Sequence, residues 1–443
     1  MAARRRRSRL PEGEFEAEID ALDRHGRGIS VVNGKKTLVY GGLAGERVHF
    51  RYLRRRRNCD EGQVTGVLEA SQDRVRPGCE HFGVCGGCSL QHLDSEAQIG
   101  AKQQALLEDL DQIGRVRPQT LLPPLCNESP WGYRRKARLG VKSVARKGRV
   151  LVGFRERGSS FVAELNECVV LHPRVGKLLR PLGTLIESLT VSRRLPQIEV
   201  VMDDERCVLI LRTLDPLTAE DERLLGEFQS AHRVVFYVQP GGPDTIVPLD
   251  GAVDLFYELP AYGLTLGFLP GDFTQVNTEI NRKMIAHALS LLDPGPTERV
   301  LDLFCGVGNF TLPMARFSES VVGVEGDLGL VQRAQANAKR NELFNVEFYA
   351  ADLYSELPDQ PWCERRYDKA LMDPPRSGAL EVLPLLQRTG VEQIVYVSCY
   401  PGTLARDAGE LVHRYGYRLV SAGVMDMFPH TAHVESIALF EKA

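Results

Sequence analysis

No apolar run in this chain of 443 residues approaches the roughly 18 residues that a bilayer-spanning helix needs, which excludes a helical membrane protein. A secretory leader is lacking too. The basic start MAARRRRSR runs into acidic EGEFEAEID and not into an apolar segment, so a cytoplasmic protein is expected. Ten cysteines are too few for a disulfide scaffold at this length and should be mostly reduced thiols. Internal repeats are absent. What remains, 43% hydrophobic and 26% charged residues, is the composition of a soluble globular protein with room for two or three domains.

Net charge is close to absent, at −3, but it is unevenly spread. Residues 1–60 hold fifteen Lys and Arg against eight Asp and Glu, a balance of +7 that leaves −10 for the rest. A basic N-terminal module on an acidic protein points to a polyanionic partner, most simply RNA or DNA. The run Arg4, Arg5, Arg6, Arg7 reads equally well as a solvated tail.

Three patterns follow one another along the chain. Residues 8–70 carry short strands broken by glycine turns (FEAEIDAL, GISVVNG, KTLVYGG, ERVHFRYL, GQVTGVLEA), as in a small β-barrel. Residues 75–265 begin with a cysteine segment and an amphipathic stretch near 95–113, and continue strand-rich with helical pieces near 173–189 and 218–231, an α+β pattern. From 266 to 443 strands and helices alternate, which implies right-handed crossovers and a parallel sheet, closed by two consecutive strands, YRLVSAGVMD and HVESIALFEK, expected as a terminal antiparallel hairpin.

Ligands of such sheets bind at the carboxyl ends of the strands. Asp302, Gly306, Gly308 and Asn309 end the first strand, in DLFCGVGNF, where glycines let the backbone approach a ligand and turn into a helix. A third fingerprint glycine is lacking, since Thr311 occupies its place, which disfavours a dinucleotide. Glu325 ends the second strand, suited to ribose hydroxyls, and Asp352 the third, suited to an adenine ring. This set fits S-adenosylmethionine (SAM) better than NAD.

Cys399, in YVSCYP, lies on a strand-to-helix turn where a helix N-terminus favours the thiolate, so it is the candidate nucleophile. Cys305 is the competing thiol, expected to be covered by the cofactor. A separate cluster, Cys79-x5-Cys85-x2-Cys88, places three thiols in one glycine-containing loop, with Cys126 or Cys168 as a fourth ligand; zinc and an iron-sulfur cluster both suit it.

DLFCGVGNFTLP, DPPRSG, VSCYPGTLARD and MFPHTAHVES together resemble the RNA uracil-5 methyltransferases across the whole catalytic domain. The resemblance implies an α/β fold: a C-terminal Rossmann-like SAM-dependent methyltransferase domain, an N-terminal TRAM-like (OB-like) RNA-binding barrel and a central α+β iron-sulfur domain. It implies addition of Cys399 to carbon 6 of uracil, methylation of carbon 5 and proton removal by Glu435 in HVES. Gln275 in FTQVN, Phe304, Asn309, Glu325 and Asp373 match cofactor or target-base contacts, and Tyr400 departs from the asparagine common after the nucleophile. It also implies a [4Fe–4S] cluster on Cys79, Cys85, Cys88 and Cys168, structural or RNA-positioning. Arg54 and Arg55 on the barrel, and Arg134, Lys136 and Arg138 on one strand face, are RNA-binding candidates.

Barrel, cluster and catalytic domain together resemble the members acting on 23S rRNA, and the target base must be flipped or unstacked. Another rRNA or tRNA uridine is the alternative. A non-catalytic ribosome-assembly factor and an iron-sulfur redox protein are the rivals from other classes. No obligate protein partner is evident, so a monomer is expected.

Overall fold

The computed structural model of the chain describes residues 10–355 and 360–443. The arginine run at positions 4–7 lies outside the described residues. Among those described, no helix is long and apolar enough to cross a membrane. The chain divides into two compact units: residues up to 102 with 156–159 and 428–433, and residues 103–155, 160–427 and 434–443.

In the first unit, alternation of buried and exposed residues builds a six-stranded sheet. Its order is Phe15–Glu18, Arg47–Arg55, Asp60–Glu69, Lys35–Tyr40, Gly28–Val32 and Ala21–Leu22, antiparallel except between Lys35–Tyr40 and Asp60–Glu69. Ala17, Ile19, Val39, Val48 and Phe50 form its core, while Arg47 and Arg51 alternate outward on the same strand as Val48 and Phe50. The cysteine loop is fastened within this unit. Cys85 bridges to Glu156, the Arg157 N–H donates to the Val84 carbonyl at 2.9 Å, and Leu43, Leu90 and Leu93 make a second small core.

The second unit contains two large sheets. One is six-stranded, in the order Val247–Pro248, Val235–Gln239, Cys207–Arg212, Gln197–Met202, Lys136–Val144 and Arg149–Gly153. The other is eight-stranded, in the order Val346–Ala350, Ser320–Glu325, Arg299–Leu303, Lys369–Met372, Gln393–Ser398, Glu435–Lys442, Tyr417–Met425 and Thr120–Leu121. Its first five strands are parallel, and the inner four bury apolar runs, as expected for strands covered on both faces, whereas the edge strand Val346–Ala350 buries only Phe348. The last two long strands are antiparallel partners, as anticipated. The final one, however, inserts between its partner and Gln393–Ser398 and does not lie at the edge.

Residues 75–102 join the first unit through the packing of Leu90 and Leu93. Position 265 lies inside the strand Leu264–Phe268, whose hairpin partner is Leu255–Leu259. That hairpin is tied to the helix Leu328–Arg340, where Asn337 exchanges hydrogen bonds with the Gly267 N–H (2.7 Å) and carbonyl (3.0 Å). The helix Ser95–Asp109 passes into a π-helical turn, Leu110–Gly114, which packs on the helix Pro401–His413.

Candidate active site

The strands Gln393–Ser398 and Glu435–Lys442 are antiparallel with Ser398 opposite Ser436. Cys399 directly follows Ser398 and Glu435 directly precedes Ser436, which brings the two side by side at the end of this strand pair, and Glu435 acts electrostatically on Cys399. Asp373, just past the end of Lys369–Met372, and Arg376, exposed in the same loop, both act electrostatically on Cys399 and Glu435. Thiol, carboxyl, second carboxyl and guanidinium thus converge at the carboxyl ends of the central strands.

Their electrostatics correct one expectation. Burial, reinforced by Glu435 and Asp373, pushes the Cys399 thiol up to about 11, so the helix N-terminus that follows it does not make it a resting thiolate. Glu435, only 3% exposed, is raised to about 8 by burial and then by Asp373, with Arg376 opposing. Burial lifts Asp373 to about 7. Cys305 is buried, and burial, Asp302 and Glu325 push its thiol well up.

The glycine turn forms as anticipated, with Gly306 at φ 56° and Gly308 at φ 94°. Phe304 also adopts a left-handed φ of 65°, a strained conformation for a bulky residue that no sequence pattern announces. Glu325 accepts the N–H groups of Gly306 (3.1 Å), Gly326 (2.7 Å) and Asp327 (3.1 Å); a carboxylate has about four acceptor positions, so it can still take a hydroxyl. Asp352 is exposed and accepts the Tyr354 N–H at 3.0 Å in a turn after the third strand.

Asn309 is held by two side chains that sequence reasoning missed. Its Oδ1 accepts from Tyr257 Oη (2.9 Å) and Asn281 Nδ2 (3.0 Å), and its Nδ2 donates back to Asn281 Oδ1 (3.0 Å). Gln275 is half-buried and lines a small cavity with Tyr257, Asn281, Arg135, Asp203 and Phe268. Its loop is framed by Asp272, which accepts the Leu269 N–H at 2.8 Å and pairs with Arg333.

Asp302 is wholly buried. Thr311 Oγ1 donates to its Oδ2 at 2.5 Å, but its Oδ1 has no hydrogen-bond partner among the described residues. Burial, with Asp373 and Glu325 nearby, lifts its carboxyl to about 8. An orphaned acid oxygen amid further carboxyls is an environment that a cationic ligand would relieve, and SAM carries a sulfonium and an ammonium; the residues therefore fit that cofactor.

The RNA candidates divide. Arg54 and Arg138 are exposed, although Arg138 reaches Glu199 at 3.5 Å. Arg55 pairs with Asp60 at 3.1 Å and lies over Tyr52, and Arg134 lies over Phe154. Lys136 departs from the expected exposed stripe: its Nζ donates to the Asp272 carbonyl, with Glu199 at 3.9 Å, and burial lowers its pKa. It frames the Gln275 loop. Cys79, Cys85, Cys88 and Cys168 are each half-buried, but among the described residues no three His, Cys, Asp or Glu side chains are gathered so as to hold a metal ion.

Comparison with known proteins follows the same geometry. The family model described as tRNA (Uracil-5-)-methyltransferase matches residues 264–443. The chain is 55% identical over 440 residues to the 23S rRNA (uracil(1939)-C(5))-methyltransferase RlmD of Alkalilimnicola ehrlichii, and 52% identical over 442 residues to that of Stenotrophomonas maltophilia, covering 99% of both chains in each case. In fold it is similar to the Pyrococcus abyssi tRNA (uracil-54, C5)-methyltransferase solved in complex with S-adenosyl-L-homocysteine, with a TM-score of 0.73 at 22% identity over 96% of this chain and 100% of that one. By its identity to full-length relatives, the chain belongs to the RNA (uracil-C5)-methyltransferase family.

Proposed function

We propose that the chain uses SAM to methylate carbon 5 of a uridine in 23S rRNA, giving 5-methyluridine. The observation that carries this reading is the meeting of Cys399 and Glu435 at the ends of adjacent strands, within electrostatic reach of each other and of Asp373. The RNA class follows the full-length relatives, which are 23S rRNA enzymes.

When bound, SAM supplies an electrophilic methyl group. Asn309, Glu325, Asp352 and Phe304 are assigned to hold it, and the buried Asp302, whose Oδ1 has no partner among the described residues, would ionise more readily beside its cationic groups. Cys399 adds as thiolate to carbon 6 of uracil, which turns carbon 5 into the nucleophile that takes the methyl. Glu435 then accepts the carbon 5 proton, the electron pair re-forms the carbon 5–carbon 6 double bond, and the sulfur leaves. A carboxyl raised toward neutrality is the stronger base for that step. Asp373 and Gln275 are assigned to the edge of the target base.

Arg54, Arg55, Arg134 and Arg138 are assigned to the RNA backbone, with the N-terminal sheet as a TRAM-like RNA-binding domain. For the cysteines we infer a [4Fe–4S] centre on Cys79, Cys85, Cys88 and Cys168, supported by their spacing and by a partial exposure that the buried Cys207 and Cys363 lack. Anaerobically purified chain should carry about four iron and four labile sulfide, lost on Cys88→Ser; bound zinc in their place sinks that assignment.

The decisive experiment incubates purified chain with SAM and 23S rRNA lacking the modification, and maps the product by mass spectrometry. Wild type should form 5-methyluridine at one site and Cys399→Ala none. A methyl group on another base or carbon overturns the mechanism.

A further inference from the structure

One side chain joins the cofactor loop to the loop that carries Asp373. Tyr354 lies two residues beyond Asp352, and its ring centroid is 5.8 Å from that of the strained Phe304. At its other end, the Tyr354 hydroxyl donates to the Gly378 carbonyl at 2.9 Å and accepts from Ser377 Oγ at 2.8 Å. Both partners belong to the loop 373–378.

The far side of the same loop is pinned differently. Asp407, wholly buried, accepts the Ala379 N–H and Tyr396 Oη, each at 2.7 Å, and Arg406 donates to the Ser377 carbonyl at 2.9 Å. Gly378, at φ 83°, has no room there for a side chain, since a Cβ would lie 2.5 Å from Arg406 Nη2 and 2.6 Å from Asp407 Oδ2. Tyr396 is on the strand Gln393–Ser398, which ends just before Cys399, so this anchor is part of the core next to the nucleophile. Tyr354, 38% exposed, is the anchor on the cofactor side and the one that solvent can loosen.

We propose that the Tyr354 hydroxyl is a positioning group that transmits order in the cofactor site to the loop 373–378, and so to Asp373 and Arg376 beside Cys399 and Glu435. The ring and the hydroxyl have separate duties. The ring supports Phe304, and the hydroxyl fixes the loop through two neutral hydrogen bonds. This rests on the methyltransferase reading above.

The test compares Tyr354→Phe, Tyr354→Ala, Ser377→Ala and the Tyr354→Phe/Ser377→Ala double variant, each checked for an unchanged thermal midpoint. Tyr354→Phe should keep the SAM dissociation constant within about twofold of wild type and lower kcat roughly tenfold, the scale of losing two neutral hydrogen bonds. Tyr354→Ala should also raise the KM for SAM. Ser377→Ala should fall between, and the double variant should be no slower than Tyr354→Phe, because both changes open one joint. A Tyr354→Phe enzyme with wild-type kcat, or with its defect confined to the KM for SAM, overturns the proposal while leaving the methyltransferase reading intact. A wild-type chain that does not methylate the RNA removes both.

Discussion

Burial and the neighbouring carboxyls hold the Cys399 proton until about pH 11, while Glu435, itself buried, keeps its own until about pH 8. Both must be deprotonated for their assigned steps, so turnover should rise with pH from 6 toward 9, with Glu435 setting the lower limb. A pH profile of kcat/KM checks this, and a rate that falls across that range contradicts it. Glu435→Gln should slow product formation by on the order of 10²–10⁴ and leave a covalent protein–RNA species visible on denaturing gels, since addition still occurs while proton removal does not. Cys399 stood out as a thiol on a strand-to-helix turn, whereas Glu435 and Asp373 were singled out only by the resemblance of HVES and DPPR to the RNA uracil-5 methyltransferases. Tyr257, Asn281 and Tyr354 were not legible, because a phenol or amide acquires meaning only from a partner, and theirs lie 52, 28 and 24 residues away.

The π-helical turn Leu110–Gly114 and the helix Pro401–His413 meet at glycines. A Cβ on Gly114 would lie 2.3 Å from the Ala405 carbonyl oxygen, and His413 Nε2 lies 3.1 Å from the Gly114 carbonyl oxygen. Gly114→Ala should therefore cost about 1–3 kcal/mol of stability, read as a lowered urea midpoint; an unchanged midpoint would show that the helices can separate freely. Activity should fall with it, since Pro401–His413 begins two residues after Cys399. Most elements were legible from periodicity, including the helical stretch near 95–113 and the alternating strands and helices of the catalytic sheet. The strand Thr120–Leu121 was not: two residues beside Pro123 and Pro124 show no period, and they are strand only because Tyr417–Met425 offers an edge. Similarly, a hairpin pattern states that two strands pair but not which of them faces inward.

At the scale of the whole chain, the buried Asp302 and Glu435 and the half-buried Asp373 contribute to the dependence of stability on pH. Asp302, Asp373 and Glu435 are raised to about 8, 7 and 8 from ordinary values near 4, so the folded state holds protons that the unfolded state has released. Their stabilisation is fully present below about pH 4 and is lost as pH rises to about 8. Glu46 and Asp60 act in the opposite direction: despite burial they are held low, by Arg74 and by Lys35 with Arg55, and their contribution is lost in acid. The thermal midpoint of the cofactor-free chain should thus peak in mild acid and fall toward pH 8.5. Saturating SAM should recover most of that fall, because a cation beside these groups favours their ionised forms; scanning calorimetry with and without SAM distinguishes this from a flat profile. The amino-acid order alone pointed to a SAM-like cofactor and a candidate thiol, through strand-terminal acids, a glycine turn and a cysteine, all of which are local patterns, and its motifs carried the resemblance that implied the reaction. It also determined that a parallel sheet would carry them. Only the tertiary structure decided that the last strand inserts next to Gln393–Ser398, which brings Glu435 beside Cys399, and that the carboxyls lie deep enough to hold their protons. Strand order and burial depend on contacts between residues far apart in the chain, and no period along the sequence encodes them.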